Sequence, residues 1–194
     1  MSPILTGVIA SGISGHLTPP WSPEGAYDSL ATVTLSTATA TVTFSGIPTG
    51  YKHLQIAGLS RANTAGTNDV TGYLRFNGDS SSSYSTHRMY GYGGGGGAGY
   101  DASSSATQIS FATVLEGGNT ANCFSVVVCD ILDYSSSSKF KTTLSISGAD
   151  TNSLGMVYQT SGNWRSTSPV TSITLSPSSG SFAANTSFEL YGVK

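Results

Sequence analysis

Apolar residues return at every second position over most of this chain, in runs too short for helices. Val33 and Leu35 share a face, and Val42 with Phe44 repeats the phase after Ser36-Thr-Ala-Thr-Ala40. Further runs cover 53–59, 70–76, 84–92, 107–115, 123–132, 139–146, 156–160, 170–175 and 187–193. Turn formers separate nearly all of them, as in Gly46-Ile-Pro-Thr-Gly50, Asn77-Gly-Asp79, Glu116-Gly-Gly-Asn119 and Pro177-Ser-Ser-Gly180. No stretch carries helical start and stop signals. About ten short strands at regular spacing predict an all-β fold, a jelly-roll-like antiparallel sandwich over residues 26–194. Asp79 with Ser80 to Ser83 reads as a hairpin tip, and the glycine-rich segment Gly91 to Tyr100 as a flexible loop. That loop is no phosphate cradle, because no Gly-Lys-Ser/Thr follows it.

Residues 1–25 break the pattern and read as an extended arm. Ile4, Leu5, Val8, Ile9, Ile13 and Leu17 make it apolar, and Thr18-Pro-Pro-Trp-Ser-Pro-Glu-Gly25, with Trp21, forms a stiff linker. The arm has no Lys or Arg and is interrupted by Gly7, Gly12 and Gly15, so it reads as neither secretory signal nor membrane span. Its apolar groups must be hidden on the body or against a neighbouring subunit. The proline spacer favours the neighbour.

Composition narrows the function. Only 9% of residues are charged, against about 25% in an ordinary domain. Ser, Thr and Gly make up roughly two-fifths of the chain, beside 38% hydrophobic residues and ten Tyr. Such a chain can build a core and is not disordered. Eight Lys and Arg scattered along it supply no basic face, which argues against nucleic acid as a partner. Charge is depleted from the cores of interfaces, while Ser and Thr hydrogen-bond without burying ions, so the scarcity itself points to assembly.

Enzyme chemistry finds no support in the residue inventory. His16, His53 and His87 stand alone, with no metal-ligand spacing and no cofactor motif. Asp130 and Asp133 point to opposite faces, unlike a glycosidase pair, and read as turn residues that pair with Lys139 or Lys141. Asp69 and Asp79 could converge on calcium, although no Asp-x-Asp-x-Asp loop is present. Cys123 and Cys129 sit on one strand about 20 Å apart, too far for a disulfide, and read as small buried hydrophobes. The remaining signal is aromatic: Tyr90, Tyr92, Tyr100 and Trp164 are candidate loop or glycan contacts, with ordinary packing as the alternative.

Several segments carry a resemblance to small structural proteins of tailed-phage virions. They are the apolar start Met1-Ser-Pro-Ile-Leu5 leading to Ile13-Ser-Gly-His16, then Tyr27-Asp-Ser-Leu-Ala-Thr-Val33 and the segment from Phe44 to Gln55. Leu74-Arg-Phe-Asn-Gly-Asp79, Ile131-Leu-Asp-Tyr134, Lys139-Phe-Lys-Thr-Thr143 and the tail from Thr186 to Lys194 follow in order. The glycine run at 93–97 is longer than the resemblance leads one to expect. The resemblance implies a virion protein assembled in the host cytoplasm, without cofactor or membrane, and presumes partners among other virion proteins. A head decoration or cement protein, trimeric and anchored by the arm, is the leading expectation. A tail-fibre, spike or head-fibre component that binds host glycans is the other.

Overall fold

Residues 25–93 and 97–194 are described by the computed structural model, and among them the alternating runs become twelve strands and no helix. The strands are β1 (Tyr27–Thr34), β2 (Val42–Ser45), β3 (His53–Ser60), β4 (Asp69–Phe76), β5 (Tyr84–Tyr92) and β6 (Gly97–Ala106). They continue with β7 (Ile109–Leu115), β8 (Ser125–Leu132), β9 (Lys141–Asp150), β10 (Gly155–Trp164), β11 (Ser172–Pro177) and β12 (Ser187–Val193). The arm residues Ile4, Leu5, Val8, Ile9, Ile13, Leu17 and Trp21 lie outside the described residues.

Two antiparallel sheets pack face to face. One has eight strands in the order β1-β12-β3-β8-β9-β10-β5-β6, the other four in the order β2-β11-β4-β7. The pairings β1 with β12, β2 with β11, β3 with β8 and β4 with β7 are nested like the rungs of one long hairpin, falling alternately in the two sheets. This is the strand order of a jelly roll. Two insertions, β5–β6 and β9–β10, lengthen only one of its sheets. Between the sheets lies one apolar cluster that includes Ile56, Phe76, Phe111, Ile173, Leu175 and the edge-on pair Phe182 and Phe188.

Three local expectations are corrected. The glycine-rich segment is largely strand: Tyr90 faces Gly99, Gly91 faces Ala98 and Tyr92 faces Gly97. Glycine is needed because a Cβ at position 99 would lie 2.7 Å from the Tyr90 hydroxyl. Asp79–Ser83 is not a hairpin tip, since β4 and β5 belong to different sheets and the segment carries the chain between them. Cys123 precedes β8 instead of sharing a strand with Cys129; it is half-buried, Cys129 is buried, and both are free.

β7 ends the four-stranded sheet and β4 is the one strand it pairs with, so apart from a bridge between Leu115 and Arg61 its other edge is open. That edge runs against β8, β9, β10 and β5. Its backbone N–H groups are taken up by side chains of the larger sheet. Ser110 N donates to Thr86 Oγ1 at 3.2 Å, Thr113 N to Ser147 Oγ at 3.0 Å and Leu115 N to Ser125 Oγ at 2.8 Å. All three hydroxyl residues are buried. Close approach also needs Gly162 on β10, where a Cβ would meet Ile109 Cγ2 at 2.5 Å.

Ser147→Ala removes the acceptor of the Thr113 N–H and is expected to cost about 1–3 kcal/mol, the penalty of a buried unsatisfied donor. Urea titration should show a lower midpoint at an unchanged slope. Thr142→Ala, on the exposed face of the same strand, should stay within about 0.5 kcal/mol of the parent.

Candidate functional site

β9 turns the usual alternation inside out. Lys141, Thr143, Ser145 and Ser147 point inward and are buried, while Leu144 and Ile146 point outward, 47% and 57% exposed. Neighbouring strands continue this outer surface. Ile146 lies between Val128 of β8 and Gln159 of β10; Gln159 faces Met89 of β5, and Met89 faces Tyr100 of β6. In the adjacent row Leu59, Val126, Gly148, Val157, Gly91 and Ala98 stand side by side across five strand pairs. Neither row contains Asp, Glu, Lys, Arg or His. Shallow hollows of about 310, 270 and 290 Å³ lie along this face; His87, Arg88 and Leu144 border the first, Ala57, Gly58 and Glu189 the second, and Gly91, Ala98 and Gly99 the third.

The opposite side of the sandwich behaves differently. The outer face of β2-β11-β4-β7 presents Thr43, Thr174, Arg75 and Ser172, with Thr43 and Thr174 hydroxyls 3.1 Å apart. That is the ordinary pattern of a sheet with one face on the core and one in water. Among the described residues the apolar outer face runs over β9, β10 and β5 of the insertions and continues onto β8 and Leu59 of β3.

A second concavity is polar. The β5–β6 hairpin overhangs the smaller sheet and forms a cleft of about 520 Å³ lined by Thr71, Tyr73, Arg88, Asp101, Ser103 and Gln108, among others. Arg88 holds Asp101 through two bonds, Nε to Oδ1 at 2.8 Å and Nη2 to Oδ2 at 2.6 Å, and lies 5.6 Å from the Tyr158 ring centre. On the inner side Tyr90, Tyr92 and Tyr158 pack ring against ring at 5.4–6.0 Å. Tyr92 and Tyr158 share a hydrogen bond, and Asp69 accepts from Thr113 Oγ1 at 2.7 Å and from Tyr158 at 3.1 Å. Burial pushes the Tyr158 hydroxyl far above its usual range, so it stays protonated as a donor.

Of the four predicted aromatic residues only Tyr90 and Tyr92 are brought together. Tyr100 is exposed on the apolar face, but Tyr90 and Tyr92 are half-buried against Tyr158. Trp164 is corrected from a surface candidate to a core residue. It is buried, stacks on Tyr84 at 6.1 Å, leans on Phe76 at 5.4 Å, and its Nε1–H donates to Asp79 Oδ2 at 2.7 Å. Asp69 and Asp79 lie at opposite ends of β4 and do not converge on a common ion, contrary to the calcium expectation. Asp133 pairs with Lys139 at 2.7 Å, as the sequence suggests. Lys141 does not join it: buried, it donates to the carbonyls of Ser136 and Lys139 at 2.7 and 2.8 Å.

Arg61 is the buried group that sequence reasoning missed. Its guanidinium donates to four carbonyls, of Gly117, Asn119, Thr120 and Cys123, at 2.7–2.8 Å and so shapes the loop between β7 and β8. Among the described residues no group of three or more His, Cys, Asp or Glu is placed to hold a metal. No known protein family, curated protein or solved structure matches the chain.

Hydrogen bonds from Ser81, Trp164 and Ser83 hold the Asp79 carboxyl far below the usual carboxylate range. A depressed folded-state value stabilises the fold above the unfolded value of about 3.9 and is lost as pH falls below it. Asp79→Asn is therefore expected to cost about 1 kcal/mol at pH 7. Urea titrations at pH 7 and pH 3 should show the gap from the parent narrowing at the lower pH.

Proposed function

We propose that this protein is a non-enzymatic structural component of a tailed-phage virion, a head decoration or cement protein held to the capsid by residues 1–25. One observation carries the reading: an apolar sheet face whose two central rows hold no charged residue stands open to water across β8, β9, β10 and β5. Exposed apolar surface of that extent marks an interaction site. The apolar arm, which has no Lys or Arg, adds a second sticky element at the N-terminal end of the chain. The resemblance to virion proteins spans nearly the whole sequence.

The polar cleft beneath the β5–β6 hairpin favours a second reading, a tail-fibre, spike or head-fibre component that binds host-surface glycans. Its Tyr73, Arg88, Asp101 and Gln108 offer a ring and paired hydrogen-bonding groups of the kind sugars use. A glycan array with the purified chain decides this reading: a hit lost in Asp101→Ala supports it, and an array without hits removes it.

Deleting residues 1–17 is expected to abolish retention on particles while leaving the melting temperature of the body unchanged. Full occupancy by the shortened chain would refute the arm as anchor. Counting copies per particle by quantitative mass spectrometry should give hundreds; a few dozen or fewer would move the protein to the tail.

A further inference from the structure

The outer face of β8-β9-β10-β5 needs an occupant, and we infer that it is the same face of a second copy of this chain. The inference rests on reading this face as an assembly surface and names its partner. The first argument is extent. Leu59, Val126, Leu144, Ile146, Val157 and Met89 are each between 47% and 59% exposed, and Tyr100 beside Met89 is 88% exposed. Together they present on the order of 700 Å² to water, above the roughly 300–600 Å² of the largest patch on an ordinary monomer. It also approaches the roughly 800 Å² that each partner contributes to a stable interface of standard size.

The second argument is charge. In a two-fold contact residue i meets residue j and j meets i, so an ionised group near the axis meets its own duplicate, and one elsewhere needs an opposite charge at the matching position or is buried without a counter-ion. Between β8 and β6 the two central rows contain no ionisable side chain except Tyr100, and the charged groups of this face, Asp130 and the exposed His87, lie in the flanking row of Leu144. Asp130, at their border, is already bonded to Gln55 Nε2 at 2.7 Å. A partner of unlike chemistry would be selected by charges or directional hydrogen bonds, and these rows offer little of either. Flat antiparallel sheets stack about 10 Å apart with interleaved side chains, so Gly148 and Gly91 supply hollows between Val126, Val157 and Met89 for the residues of the facing copy. Self-pairing of one face gives a two-fold dimer, which departs from the trimer expected from the sequence.

Sedimentation of the purified full-length chain at micromolar concentration is expected to show a dimer. Ile146→Glu and, separately, Met89→Glu should weaken it roughly 100-fold or more by burying an unpaired charge, with melting temperature and near-ultraviolet circular dichroism unchanged. Thr174→Glu, on the polar sheet, should leave the dimer intact. A parent that stays monomeric at 100 times that concentration, or a dimer that both glutamate variants leave untouched, overturns the inference. So does loss of the dimer on deleting residues 1–17, which would make the arm the occupant. Particle binding separates the two levels. If a monomeric parent joins particles and Ile146→Glu does not, the face contacts another virion protein and the assembly reading survives alone. If the parent is monomeric and Ile146→Glu binds particles normally, both readings fall.

Discussion

The open edge of β7 imposes the arrangement of everything packed above it. Wrapping eight strands into a jelly roll leaves β7 with a single partner strand, and the lengthened larger sheet buries its free edge beneath β8, β9, β10 and β5. Buried N–H groups without acceptors cost about 1–3 kcal/mol each. A carboxylate could accept them only by burying charge. Short neutral hydroxyls are the economical solution, and Thr86, Ser147 and Ser125 stand where they are required.

The seam decides how the inserted strands face. Successive side chains of a strand point to opposite sides, so placing Ser147 against β7 places Ser145, Thr143 and Lys141 inward as well and turns Leu144 and Ile146 outward. A slip of one residue would bury the leucine and isoleucine but leave the Thr113 N–H facing apolar atoms. Trp164, Tyr158 and Met156 on β10 point inward in the same register and reinforce the choice. The apolar outer face is thus a consequence of how the sandwich closes.

The few charges follow the same logic. Arg61 and Lys141 spend their protons on backbone carbonyls that no strand could satisfy, and Arg88 secures the overhanging hairpin through Asp101. Such groups fix loops and edges. They leave the two central rows of the broad sheet face without a charged side chain. A composition poor in charge and rich in Ser and Thr therefore has two physical sources here, a hydroxyl-lined seam inside and an uncharged surface outside.

Strands and their spacing were legible from alternation and turn residues, because both arise from neighbours along the chain. His53–Ser60, Asp69–Phe76 and Ser187–Val193 fall where the pattern of apolar residues puts them, and the all-β sandwich follows from their number. The Asp133–Lys139 pair was legible for the same reason, since six residues and one turn separate the two. β6 was hidden, because glycine and serine carry no alternation and the strand exists only where Tyr90 lies across Gly99. Trp164 looked like a surface aromatic beside Gly162 and Asn163, yet its pocket is built by Phe76, Tyr84 and Asp79 from distant segments. Local sequence could specify that 141–147 alternates between polar and apolar residues, but not which set faces inward. That choice belongs to the tertiary fold, because the donors that select it lie on β7, some thirty residues away along the chain.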